Sequence, residues 1–258
     1  MPSQLKAILF DLDDTLIDWS CVTLGWRKLE AKRLSRVLSF VNAHTKRELT
    51  DLDSLVNTYT ERTRDAWAAA RVNLRAPVMP DILLSTLTDM GVPEAASCLD
   101  EILSAYDWSA VPGTIVYPDV PPALELLCSN GIRAGIVTNA SLPMWMRDNE
   151  LREHGLIDYF SHCRLSAADV GYLKPHSRIF RHALKKMGTL AEETVFVGDN
   201  PVADVAGAQA VGMPAVRRLN PGASDNRHLA KPHEILTSLA ELPGLLDDWY
   251  PDWRQNGK

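Results

Sequence analysis

Ala7-Ile8-Leu9-Phe10-Asp11-Leu12-Asp13-Asp14-Thr15-Leu16 sets four apolar residues directly before a cluster of carboxylates. A short continuous apolar run rich in branched and aromatic types reads as a buried strand. In open parallel sheets the ligand sits outside the carboxyl ends of the strands, which is where Asp11 and Asp13 fall. Two carboxylates at i and i+2 repel each other, and a fold keeps them together when a cation or a proton is shared between them. Asp14 and Thr15 carry a second reading, as the N-cap of a following helix.

Three other places repeat or complete the pattern. In Thr194-Val195-Phe196-Val197-Gly198-Asp199 a β-branched and aromatic run again ends in acid, and Asp204 follows where a helix should begin, with Pro201 suited to its first turn. Ile132 to Val137 runs into Thr138-Asn139, a hydroxyl and an amide at a strand end where backbone N–H groups are free to bind an anion. Asn139-Ala140-Ser141 also matches a glycosylation acceptor, which we read as coincidence because nothing else points to secretion. Lys174, followed by Pro175, would pass for a solvated surface charge if it stood alone.

Taken together, Asp-x-Asp-x-Thr at 11 to 15, Thr138 after an apolar strand, Lys174-Pro175, and Gly-Asp-x-x-x-x-Asp at 198 to 204 resemble, in order, the four motifs of the haloacid dehalogenase-like hydrolases. The resemblance covers roughly residues 5 to 240 and is to a phosphatase-type member with a helical cap inserted after the first motif. Asp11 and Thr138 lie 127 positions apart, far more than the roughly 30 residues of a βαβ unit. The stretches Trp26 to Leu34 and Glu61 to Arg71 mix charge with apolar residues in good helix formers, and Pro77, Pro80, Gly91 and Pro93 divide the region. The expected fold is α/β: a doubly wound, Rossmann-like parallel-sheet core from residues 1–17 and 111–258, with an inserted all-helical cap domain at 18–110. The crossings near Leu16 to Trp19 and Val111 to Thr114 are the expected hinge, and Pro214-Ala215-Val216 reads as the last strand. Asn220 to Asn226 reads as a polar loop, and the aromatic tail Trp249 to Trp253 as packed on the core.

A net charge of −6 and the absence of any basic run give no case for nucleic acid or membrane partners. The four cysteines have no C-x-x-C spacing, so thiolate metal chemistry is not expected and a reducing compartment is. No leading stretch reads as a signal peptide and no apolar run is long enough to span a bilayer, so a cytoplasmic location is expected.

The resemblance and the residue types imply a Mg²⁺-dependent phosphatase acting on a small phosphorylated metabolite. Asp11 is the expected nucleophile, forming an aspartyl-phosphate. Mg²⁺ is expected on Asp11, the Asp13 backbone carbonyl and Asp199, with Asp204 orienting its waters from the second shell. Asp13 is expected to be free for proton transfer to the leaving oxygen and from the hydrolytic water. Thr138 and the Asn139 backbone should hold the phosphoryl oxygens, while Lys174 binds phosphate and offsets the carboxylates. The alternatives are a phosphomutase or other phosphoryl transfer, a 2-haloacid dehalogenase, and a non-catalytic phosphate-binding protein. Asp13 argues against dehalogenation, which needs neither a leaving-group acid nor a metal. Trp19 and Trp26, just past the first motif, either line the pocket or pack between cap helices.

Overall fold

The structure is a computed structural model, and it describes residues 4–45, 49–220 and 229–255. The quoted apolar run is strand β1 (Ala7–Phe10), buried at every position. It lies at the centre of a six-stranded parallel sheet built with β4 (Arg133–Thr138), β5 (Cys163–Ser166), β6 (Thr194–Gly198), β7 (Ala215–Arg218) and β8 (Glu234–Leu236), in the order β5-β4-β1-β6-β7-β8. Strands enclosed on both faces need no polar alternation, which is why β1 and β6 read as unbroken apolar runs.

Alternate residues of β1 feed two different cores. Ile8 and Phe10 pack with helices α5 (Val120–Ser129) and α10 (Leu242–Trp249), whereas Ala7 and Leu9 pack with α8 (Ser177–Met187) and α9 (Gly207–Gln209). Helices on both faces make the sheet doubly wound, as expected. After β1 the chain builds outward through β4 and β5, then returns to β6 on the other side of β1. The reversal of strand order falls at β1, the position where such sheets bind ligands.

Between β1 and β4 lie helices α1 (Trp26–His44), α2 (Leu52–Asn73), α3 (Met79–Asp89) and α4 (Leu99–Tyr106). They enclose an apolar cluster of their own, which also takes in Leu142 and Met146 beside the sheet. Pro80 does not interrupt α3 but stands in its first turn, where the missing N–H costs nothing. The inserted stretch is not helical from its start. Ile17–Asp18 (β2) pairs antiparallel with Ile115–Val116 (β3), so the two crossings are joined by a short ribbon. Gly113 stands beside it with φ +98°, and a Cβ there would meet the Cys21 carbonyl at 2.7 Å.

Two further expectations are corrected. The strand at Ala215 is not the last, because β8 pairs parallel at the sheet edge; at only three residues, beginning with Glu234, it lacks the apolar run that marks a strand. Asp14 and Thr15 cap no helix: Asp14 takes φ +60° in a turn that leads into β2, and the anchors of that turn are the fully buried Leu12 and Leu16. Of the expected polar loop only Asn220 lies within the described residues. The tail packs on the core, with Trp253 wholly buried and its indole donating to Asp247. Among the described residues no helix is long and apolar enough to cross a membrane, and all four cysteines are free.

Candidate active site

Because β4, β1 and β6 are neighbours, their carboxyl ends bring Thr138, Asp11 and Asp199 to one rim of the sheet. The Asp11 amide donates to the Val197 carbonyl (2.9 Å), extending the pairing of β1 one residue into the site. Thr15, expected as a possible cap, instead donates its hydroxyl to Asp11 Oδ2 (3.2 Å).

Lys174 reaches this rim from the loop between α7 (Ala167–Val170) and α8. Its buried ammonium lies 2.6 Å from Asp11 Oδ1, 2.7 Å from Asp204 Oδ1 and 2.8 Å from the Val137 carbonyl. It donates to Asp11 and to the Val137 carbonyl and meets Asp204 as an ion pair. The Asn139 side chain is spent on the same loop: it accepts from the Lys174 amide (2.7 Å) and donates to the Lys174 carbonyl (3.0 Å). Asn139 therefore fixes Lys174, a task that its expected role in phosphate binding did not include.

Asp199 follows β6, and Asp204 stands in a wide helical turn at Pro201–Ala206 whose first N–H groups are capped by Asn200. The Asn200 amide donates to Asp204 Oδ2 (2.9 Å). Gly198 is required for this arrangement, because a Cβ there would sit 2.4 Å from the Asp204 carboxyl carbon.

Oxygens of Asp11, Asp199 and Asp204 lie within 4.8 Å of one another, an arrangement able to hold a metal ion. Lys174 pairs with two of the three, Asp11 and Asp204, and the crowding of carboxylates shows in the proton affinity of Asp11 and Asp199. Burial, reinforced by Asp204, Asp199 and Asp13 and opposed by Lys174, pushes Asp11 up to about 8. Burial together with Asp204 and Asp14 pushes Asp199 up to about 7. Burial alone would lower Lys174, but Asp11 and Asp204 outweigh it and hold the ammonium above its usual value.

Asp13 is not free. Arg147 of helix α6 (Met144–Glu153) binds it through both Nη groups, at 2.7 Å to Oδ1 and 3.1 Å to Oδ2. The Trp19 indole donates to Oδ1 (3.0 Å) and Thr138 to Oδ2 (3.3 Å). Burial would raise Asp13, yet Arg147, Trp19 and Lys174 outweigh it and hold the carboxyl below its ordinary range. Trp19 stacks on Trp26 at 5.8 Å; Trp26 is exposed, whereas Trp19 is partly buried against both the sheet core and the apolar cluster of the insertion.

Arg147 and its buried neighbour Glu150 are absent from the sequence-based site. At i and i+3 on a helix they look like a surface ion pair. The available signal was the helix itself: Met144–Glu153 has few apolar residues to bury, so its inward face has to be charged.

The insertion lies against the loops that carry these residues. The Ala76 amide donates to the Gly171 carbonyl (3.2 Å), the Leu173 amide to the Leu74 carbonyl (2.9 Å), and the Met79 amide to the Ser141 carbonyl (2.8 Å).

Residues 5–212 match the family described as haloacid dehalogenase-like hydrolase. The chain is 26% identical over 250 residues to a glyceraldehyde 3-phosphate phosphatase of Methanopyrus kandleri, covering 93% of this chain and 99% of that protein. It is 27% identical over 247 residues to a phosphoglycolate phosphatase of Yersinia pseudotuberculosis, covering 92% and 91%. Among solved structures it is similar to a 2-haloacid dehalogenase of Pseudomonas syringae, at 28% identity and a TM-score of 0.64, covering 95% of this chain and all of that one.

Proposed function

The chain belongs to the haloacid dehalogenase-like hydrolases, and we propose that within that family it is a Mg²⁺-dependent phosphatase of small phosphate monoesters. The observation that carries this reading is the trio Asp11, Asp199 and Asp204, whose crowding and burial push Asp11 up to about 8 and Asp199 up to about 7. Hard carboxylate oxygens in that number suit Mg²⁺, and displacement of halide from carbon needs no such cation. The likeness to two curated phosphatases supports the same choice over the dehalogenase reading.

Asp11, Asp199 and the Asp13 backbone carbonyl would hold the ion, with Asp204 orienting its waters. When bound there, Mg²⁺ supplies the positive charge that lets an anionic nucleophile approach an anionic ester. Asp11 attacks phosphorus and becomes the aspartyl-phosphate. Lys174 keeps Asp11 and Asp204 together, and Thr138 with the Asn139 amide receives the phosphoryl oxygens. Asp13 gives a proton to the departing oxygen and later takes one from the hydrolytic water. In its pair with Arg147 it is a carboxylate, the form needed for the second step; the negative charge of an arriving phosphate raises its affinity for the proton needed in the first. Residues 18–110 serve as the cap, and their hydrogen bonds to Gly171, Leu173 and Ser141 support that division from a core of 1–17 and 111–258.

A screen of phosphorylated metabolites with and without Mg²⁺ tests the reading. Turnover is expected with Mg²⁺ and none after EDTA; EDTA-insensitive turnover, or halide release from 2-chloropropionate, would overturn it. Metal also has a pH signature. Asp11 and Asp199 hold protons in the fold up to about 8 and about 7, whereas the unfolded chain releases them near the ordinary carboxylate value. The metal-free fold therefore binds more protons than the unfolded chain, and its stability falls as pH rises through that window. Mg²⁺ replaces those protons, so the rise in Tm on adding Mg²⁺ should be small at pH 5 and larger at pH 8. A Mg²⁺ effect independent of pH would count against binding at these carboxylates.

Asp13→Asn is expected to lower turnover by about 10²- to 10⁴-fold, the range of general acid–base catalysis, while binding of inorganic phosphate survives. Unchanged ester hydrolysis in that variant would remove Asp13 from proton transfer.

A further inference from the structure

Arg147 and Glu150 stand one turn apart on α6 and are almost wholly withdrawn from solvent, at 3% and 0% exposure. While both Nη groups of Arg147 bind Asp13, its Nε lies 2.7 Å from Glu150 Oε2. The Trp108 indole donates to the same Oε2 (3.0 Å). Trp108 lies on the stretch that returns from α4 to β3, and the Arg33 guanidinium of α1 packs over its ring at 4.1 Å. Arg33 pairs with Glu30 (3.3 Å), which accepts from the Tyr106 hydroxyl (2.7 Å). A continuous row of buried charged and polar side chains thus runs from the helical insertion to Asp13.

Such a row is a poor way to gain stability. Withdrawing ions from water costs more than their pairing readily returns, and apolar side chains of the same volume do as well or better. What an arginine fork provides is geometry: bound at two nitrogens, it fixes both the plane and the distance of the carboxylate it holds. Trp19 and Thr138 add a contact to each oxygen of the same carboxylate.

We propose that Arg147, braced by Glu150 and Trp108, is the positioning residue for Asp13. It holds the carboxylate where its proton can reach the leaving oxygen, and through Trp108 it ties that placement to the docked insertion. The inference rests on the reading of Asp13 as the proton-transfer group.

The test compares wild type, Asp13→Asn, Arg147→Lys, Glu150→Gln and Trp108→Phe on two probes, with Mg²⁺ present. p-Nitrophenyl phosphate has a leaving group that departs with little need of a proton; glycerol phosphate has one that needs it. A positioning role predicts that Arg147→Lys loses about tenfold or more extra kcat on the alkyl ester relative to the aryl ester. Glu150→Gln and Trp108→Phe should lose in the same direction and by less, with KM and inorganic phosphate binding little changed in all three. Equal losses on both esters, or wild-type behaviour, would overturn the proposal. If Arg147→Lys fails to fold, Trp108→Phe decides, since it removes the indole N–H and leaves an aromatic ring in place. Should Asp13→Asn itself fail to separate the two esters, the reading of Asp13 falls and takes this inference with it; should Asp13→Asn separate them and the braced set not, the positioning role alone is wrong.

Discussion

Asp11→Asn should abolish turnover, by on the order of 10⁴-fold or more, without harming the fold. The size follows from removing a covalent nucleophile whose neighbours cannot substitute for it: Asp13 is committed to Arg147 and Asp204 to Lys174 and the Asn200 amide. The survival of the fold follows from the charge balance. Asparagine keeps the volume and removes one negative charge from a cluster that burial and three nearby carboxylates already push up to about 8. Lys174 retains Asp204 and the Val137 carbonyl as partners. Tm of the metal-free variant is therefore expected at or above the wild-type value at pH 8, where ionisation of the wild-type Asp11 has begun to add its charge to the cluster. Acid quenching during turnover should trap a phosphorylated chain in the wild type and none in the variant. Appreciable hydrolysis by Asp11→Asn would end the covalent mechanism, whatever became of the metal.

What sequence alone could yield was set by how each residue signals its place. Asp11, Thr138 and Asp199 follow buried strands, and a buried parallel strand is legible as an apolar run with its functional residue at the end; adjacency of β4, β1 and β6 then assembles them. Lys174 became legible through its order in the chain among the other three. Arg147, Glu150 and Trp108 had no comparable mark. A charged pair on a helix reads as solvated, and only tertiary contact with Asp13 turns it inward. The tethering of the Asp13 side chain by Arg147, Trp19 and Thr138 had no mark in the sequence for the same reason. Thr15 misled for a related reason: next to an aspartate it offers itself as a cap, and the choice between capping a helix and holding Asp11 depends on whether Leu12 and Leu16 close a turn there. The ribbon of β2 and β3 and the edge strand β8 are two and three residues long, too short for periodicity to register.

Lys174→Met is expected to be the most damaging single change to stability, and damaging in a pH-dependent way. The ammonium is 3% exposed and ion-paired to two carboxylates at 2.6 and 2.7 Å. Methionine nearly matches its length, so packing against Phe196 and the sheet is largely kept while the charge is lost. Breaking a buried ion pair by removing one partner costs about 3–5 kcal/mol, because the other charge is left uncompensated. Here the orphaned Asp11 has a way out: it can take up a proton. At pH 5 it holds one, and the loss should be small. As pH rises, the folded chain must either keep protons that the unfolded chain has released or bear bare buried charge, so stability falls further through the neutral range. Urea denaturation of the metal-free proteins should then show a gap between wild type and Lys174→Met that widens from pH 5 to pH 8, reaching the several-kcal/mol scale at the upper end. Saturating Mg²⁺ should narrow it, since a cation on Asp11 and Asp199 replaces part of the missing charge, yet turnover should stay lost because no divalent ion reproduces a donor aimed at Asp11, Asp204 and the Val137 carbonyl together. A gap that is constant with pH would mean that Lys174 contributes packing and hydrogen bonds rather than counter-charge, and a variant that still turned over phosphate esters would remove Lys174 from the reaction.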